Sequence, residues 1–305
     1  QSRDKWITVW DHFDMIIHCD VVHQILPNLL QDMELSTQDQ GYLYFKIKHT
    51  SLKGSFDKVE QKLLEETDYK RELDQSIEIK EACRNINGLR FPDYYPELST
   101  ERILVMDWIS GNHLSESIEL TQEERNKLGQ TLWDFYMFQI HNLRKVHADP
   151  HPGNFLIDQN KDLVALDFGC MKEIPEEFYI PYFDLVDPEA IADDQIFDSK
   201  LKELEILRPD DSPQEIALFT DLFREMLSLF TQPFHEETFD FSDDIFFSKI
   251  SDLGAKYAKS TELKSMNGNR GSKHFIYINR TFFGLYNLMH DLKAKEVKIN
   301  NFKSL

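Results

Sequence analysis

Cysteine is scarce in this chain of 305 residues. Cys19, Cys83 and Cys170 are far apart and form no CxxC pair. That argues against a disulfide framework or a zinc site and for a reducing compartment. Glycine is scarce too, at 11 against 23 phenylalanines, a balance that suits packed helices better than a turn-rich all-β fold. Basic residues are outnumbered, 34 Lys and Arg against 54 Asp and Glu, for a formal net charge of −20. A nucleic-acid partner held by a clustered basic face is therefore not expected. No apolar run approaches the ~18 residues of a membrane span, so any membrane contact would be peripheral. The N-terminal stretch QSRDKWITVWDHFD lacks the basic segment and apolar run of a signal peptide. The expected location is cytoplasmic, free or peripheral to a membrane. An initiator Met is missing as well, and the expectation is a chain incomplete at that end.

What is present is easier to read after residue 55. Before it, GYLYFKIKHT at 41–50 alternates like a short strand, and VVHQILPNLL is cut by Pro27. From Phe56 to about Ile86 there is no Pro or Gly, and Glu, Lys and Leu abound, so a helix is predicted. Its apolar stripe takes in Val59, Leu63, Thr67, Leu73 and Ile77, with a bend at Asp68 and Tyr69. The run Ile103–Met106 reads as a buried strand closed by Gly111. Thr121 and Glu124 form a capping box that opens a helix running to about Leu143, with Leu128, Leu132, Phe135 and Phe138 on its buried face. Residues 155–157 and 163–166 pair as a hairpin around Asp158–Lys161. After Pro175 the pattern is helical to the end, with a second capping box at Ser212 and Glu215 and further helices over 243–258 and 274–294.

Between the long helix and the hairpin lies KVHADPHPGNFLI, and LVALDFG follows. Asp149 precedes Asn154 by five positions, and Asn154 precedes Asp167 by thirteen. Phosphoryl transfer from ATP needs residues of these types: one carboxylate to accept or orient the attacking hydroxyl, and a second carboxylate with an amide oxygen to hold Mg²⁺ on the phosphates. Mg²⁺ takes oxygen ligands and few protein groups, which suits Asn154 and Asp167. Gly169 lets the chain turn after the metal ligand. The order and spacing are those of a protein-kinase catalytic loop followed by its D-F-G, with His147-Ala148-Asp149 in place of His-Arg-Asp. His147 is expected to pack and hydrogen-bond beneath the loop, and His151 to orient Asp149 or a phosphate. Pro150 and Pro152 argue against the helix that a zinc pair at this spacing would need.

The pattern H-A-D-P-H-P-G-N followed by L-D-F-G resembles the UbiB/AarF family of atypical protein-kinase-like proteins. So does ETDYKREL at 66–73, similar to that family's E-x-D-Y-x-x-E helix motif through Glu66, Asp68, Tyr69 and Glu72. STERILVMDWISG at 99–111 resembles its strand and hinge. The resemblance spans roughly 58–295. It implies an α+β, protein-kinase-like fold, with a reduced or divergent N-lobe and a mostly helical C-lobe, and ATP and Mg²⁺ as cofactors. It implies that Glu66 or Glu72 pairs with a strand Lys, and that Met106, Asp107 and Trp108 form the adenine-side hinge. It also implies a link to isoprenoid-quinone or lipid metabolism, often at a membrane.

The family's alanine-rich nucleotide loop and its K-x-G-Q helix have no counterpart in residues 1–55. Lys46 is the nearest candidate for the strand Lys, only twenty residues before Glu66. Lys127-Leu128-Gly129-Gln130 spells K-x-G-Q, but within the helix before the catalytic loop, where a close-packing glycine is the expected meaning. The expected division is a divergent segment over 1–55, the rest of an N-lobe over 56–110 and a helical C-lobe over 111–305. Three functions stay open: an ATP- and Mg-dependent atypical kinase or ATPase, a small-molecule phosphotransferase of the aminoglycoside or choline kinase type, and a nucleotide-binding pseudokinase or scaffold. The partner is a nucleotide, with a small-molecule, lipid or protein substrate.

Overall fold

The computed structural model describes residues 69–258 and 270–304. The chain divides into two compact units, and nearly all described residues belong to one of them, Asp68–Ile250 with Gly271–Leu305. The other, Gln1–Thr67 with Ser251–Arg270, is described only at 251–258 and at Arg270. Lys46, Glu66 and the 41–50 strand expectation lie outside the described residues.

Among the described residues the first element is helix α1 (Tyr69–Ala82); the earlier part of the predicted helix, residues 56–68, lies outside them. It buries Leu73, Ser76, Ile79 and, just beyond its end, Cys83. Ile77, assigned to the buried stripe, is 39% exposed. The buried face runs through Ser76 instead, whose hydroxyl donates to the Glu72 carbonyl at 2.7 Å. A four-stranded sheet follows, in the order β1 (Leu89–Arg90), β5 (Leu163–Ala165), β4 (Phe155–Ile157), β2 (Asn112–His113). β1 runs parallel to β5, and the other neighbours are antiparallel. The predicted hairpin is β4–β5, in the register Phe155↔Ala165.

Ile103–Met106 is not a buried strand. Among the described residues it makes only isolated bridges, Thr100↔Ile103 and Tyr94↔Met106, and Ile103 is 56% exposed. Its backbone bonds run to the 93–95 segment, through Tyr95 N to Val105 O and Asp107 N to Asp93 O, and within its own turn, through Thr100 N to Ile103 O. An apolar run that pairs through single bridges and leaves Ile103 and Met106 exposed does not become a core strand.

Helix α2 (Gln122–Phe138) starts at the Thr121 capping box, where both reciprocal bonds form. It ends in a π-turn, Gln139–Leu143, and Arg144 closes it in the left-handed region. Helix end and capping box both match expectation, but the burial is broader: residues 131–137 are buried on every face, and Phe138 only partly. The reason is a C-terminal strap. Gln122 Nε2 donates to Lys293 O, Asn126 Oδ1 accepts from Lys295 N, Gln130 bonds Lys298 through both amide atoms, and Trp133 Nε1 donates to Ile299 O at 2.9 Å.

Where the strap crosses α2, Gly129 leaves no room: a Cβ there would stand 2.5 Å from Ala294 Cβ. This is the close-packing meaning expected for the K-x-G-Q spelling, and Lys127 is turned to Asp162 at 2.7 Å. Ala in place of Gly in an exposed helix gains about 1 kcal/mol. Here the overpacking, about 1–3 kcal/mol, wins because Ala294 is itself held by Phe241 N. Gly129→Ala should therefore lower the urea midpoint, and a raised midpoint would count against this packing.

The remaining elements are β3 (Lys145–His147), β6 (Met171–Glu173), α3 (Glu176–Asp184), α4 (Pro188–Ala192), α5 (Asp194–Glu203), α6 (Pro213–Phe230), β7 (Thr238–Phe239), α7 (Asp244–Ala258), α8 (Lys273–Asp291) and β8 (Val297–Lys298). α6 opens on the Ser212 capping box with Pro213 at its first position. The expectation of helix to the end misses one short ladder, β7–β8. Aromatic rings fill the interior: Trp133, Phe241, Phe246 and Tyr286 form a chain of contacts with ring centres 5.4–6.4 Å apart.

Candidate active site

Two ladders pin the loop. On one side, β3 pairs antiparallel with β6 in the register His147↔Met171, and Ala148 N continues it to Cys170 O at 2.9 Å. On the other, β4 pairs with β5, and Leu166 N continues that ladder to Asn154 O at 3.0 Å. Asp149 thus leaves the end of one ladder, while Asn154 and Asp167 sit side by side at the end of the other. β6, absent from the sequence reading, holds the chain after Gly169 against the chain before Asp149.

The Asn154 amide closes the loop. Its Nδ2 donates to the Asp149 carbonyl at 3.0 Å. The nitrogen is thereby committed, and Oδ1 is the atom left to offer to a cation. Asp167 Oδ1 accepts from Gly169 N at 2.8 Å. Phe168 turns the opposite way and is buried against Phe91, Phe135 and His147. That anchor directs the exposed Asp167 outward. Gly169 is not in the left-handed region, where Gly88 and Gly271 lie. Its contribution is the N–H to Asp167 and its place beside Glu72, whose Oε2 would lie 3.7 Å from an added Cβ.

Glu72 on α1 is thus brought to Asp167. Burial, and then the Asp167 charge, push its carboxyl up to about 7, while the Phe168 backbone pulls the other way. Tyr94 stands in the same environment. Its phenol is pushed up to about 12, first by burial, with the Glu72 and Asp167 charges adding to it. His147 is buried as expected, its backbone N–H donating to Gln139 Oε1 at 2.9 Å. Burial lowers its pKa, with Asp167 and Asp149 opposing. His151 is exposed, and its Nδ1 accepts from Gly153 N at 3.0 Å, so its ring caps the turn at Pro152–Asn154. Met106 and Trp108 are 38% and 92% exposed, and Asp107 Oδ1 accepts from Tyr95 OH at 2.6 Å.

The sequence reading missed Arg280, whose Nη2 donates to Asp149 Oδ1 at 3.3 Å. No local signal could have found it, since 131 residues separate the two. Tyr94 was missed as well, in a segment read only as turns.

The Asn154 amide oxygen, with its nitrogen tied back, and the Asp167 carboxylate are the kinds of oxygen ligand that a hard cation such as Mg²⁺ takes.

A mixed α/β half with this loop, hairpin and D-F-G has a protein-kinase-like fold. The complex structure of Rv3197 with erythromycin from Mycobacterium tuberculosis shares it, with a TM-score of 0.63 at 20% identity, over 87% of this chain and 64% of that one. The model of the ABC1 atypical kinase-like domain matches residues 20–195, and the chain belongs to that family, as the UbiB/AarF resemblance implied. Similar curated proteins include "Atypical kinase COQ8B, mitochondrial" of Danio rerio, 25% identical over 76% of this chain and 36% of that protein. "AarF domain-containing protein kinase 1" of Xenopus laevis is 32% identical over 42% of this chain and 26% of its own length. The chain spans about a third or less of the length of these relatives.

Proposed function

We propose that the chain is an ATP- and Mg²⁺-dependent phosphotransferase or ATPase. The observation that supports this reading is the double closure of the loop, Asn154 Nδ2 on Asp149 O and Leu166 N on Asn154 O, which ties Asp149 to Asn154 and Asn154 to the strand end next to Asp167. Asp149 accepts or orients the proton of the attacking hydroxyl. Asn154 Oδ1 and Asp167 would hold Mg²⁺, which when bound neutralises phosphate charge. Glu72 is the acidic side chain that α1 sets beside Asp167, with Glu66 and Lys46 as further nucleotide-side candidates. Met106, Asp107 and Trp108 form the adenine-side hinge, and the 92% exposure of Trp108 gives that face an open aromatic ring. His147 supports the loop from beneath and His151 from its turn.

The substrate follows the family resemblance, a lipid or isoprenoid-quinone connection, with the chain cytoplasmic or peripheral to a membrane. No helix among the described residues is long and apolar enough to cross one. Phosphate release from ATP by this chain, measured with and without Mg²⁺, tests the reading. Release that depends on Mg²⁺ is expected. No release with Mg²⁺ present would leave a nucleotide-binding scaffold.

A further inference from the structure

The catalytic loop has no cation of its own: Lys and Arg are absent from Val146 to Asn160. His151, two positions past Asp149, spends its Nδ1 on Gly153. Among the described residues the positive charge beside Asp149 comes from Arg280 on α8. One turn further along the same helix face, Gly284 passes the next loop residue so closely that a Cβ would stand 2.3 Å from Pro150 Cγ and 3.2 Å from Pro150 O. A charge contact and a steric contact, four residues apart on one helix, thus meet two consecutive residues of the loop. α8 is independently fixed. Phe275, Ile278 and Phe282 are buried, and Asn279 accepts from Tyr182 OH at 3.1 Å. The helix therefore delivers the guanidinium to Asp149 without depending on the ion pair for its own placement.

The pair itself adds little stability, because both side chains are partly exposed, 36% for Arg280 and 49% for Asp149. Its geometry is more informative. Among the described residues the contact is to Oδ1, at 3.3 Å, and Arg280 does not occupy Oδ2.

We propose that Arg280 is a positioning residue for Asp149, holding Oδ1 so that Oδ2 faces the acceptor, with Gly284 setting how close α8 comes to the loop. This rests on the reading of Asp149 as the hydroxyl-orienting carboxylate. It assigns a task to the C-terminal helix, namely completing the catalytic loop.

The test uses the full chain with Arg280→Met, Arg280→Lys, Asp149→Asn and the Arg280→Met/Asp149→Asn double variant, in Mg-ATP turnover and thermal melting. Arg280→Met should lower kcat by about 10–100-fold, the scale of a small misplacement of a reacting group, with KM for ATP and the melting temperature essentially unchanged. Arg280→Lys should recover a substantial part of the loss. In the Asp149→Asn background, adding Arg280→Met should change nothing further. Wild-type turnover by Arg280→Met overturns the proposal, as does an equal loss in both backgrounds, no rescue by Lys, or a loss explained by a lowered melting temperature. A wild-type chain that turns over no ATP would instead sink the phosphotransfer reading, and the role of Arg280 with it.

Discussion

Asp149→Asn is expected to lower Mg-ATP turnover by about 10²–10⁴-fold, the usual contribution of a positioned general base. Mg-ATP binding should survive. The bond that closes the loop uses the Asp149 backbone carbonyl, not its carboxylate, so Asn154 keeps its place in the variant. The side chain also points to Arg280, and an amide oxygen can still accept from a guanidinium. What the substitution removes is the ability to take a proton. A turnover number near wild type would show that Asp149 is not the acceptor-side carboxylate. A simultaneous loss of nucleotide binding would show that the loop, and not the chemistry, had been damaged.

The second large effect is on stability. Trp133→Ala should cost about 3–5 kcal/mol, the range for deleting a large buried aromatic side chain. Trp133 is fully buried and lies against Phe234, Phe241 and Tyr286, with ring centres 5.4–6.4 Å apart. Its indole N–H is also the donor to Ile299 O in the strap. Truncation therefore opens a cavity and orphans a carbonyl together. Trp133→Phe separates the two terms, keeping much of the ring contact but losing the donor, at about 1–3 kcal/mol. Urea unfolding followed by circular dichroism measures both. A loss under about 1 kcal/mol for Trp133→Ala would mean that the strap and α2 do not share one core.

Local chemistry was legible in the sequence, and long-range pairing was not. The capping boxes at Thr121 and Ser212 declare themselves within four residues and form as read. The catalytic loop and its hairpin span fewer than twenty residues, and the turn at Asp158–Lys161 sets their register. Lys161 takes the left-handed conformation there that the sequence does not announce. By contrast, β3–β6 and β7–β8 are two or three residues long, too short to leave an alternation of polar and apolar residues. Ile103–Met106 misled for the converse reason, since four apolar residues read as a core strand although, among the described residues, they make only isolated bridges. Ile77 looked like the continuation of a stripe, while the small, hydrogen-bonded Ser76 is what faces inward. Arg280 could not be seen at all. A lone arginine in an aromatic helix has many ordinary explanations, and only the packing of α8 on the loop gives it one in particular.

The proposed metal half of the site has the most direct test. Asp167 and Glu72 are two carboxylates in one environment, and the chain carries a formal net charge of −20, so an unaccompanied ATP anion is poorly received. Calorimetric titration of ATP into the wild-type chain, with Mg²⁺ and then with a chelator, should show binding only with Mg²⁺. Asp167→Asn should lose that binding, while Asp149→Asn keeps it. Equal ATP binding with and without Mg²⁺, or an Asp167→Asn variant that binds Mg-ATP as the wild type does, would contradict the assignment of Asn154 and Asp167 as the cation-holding pair.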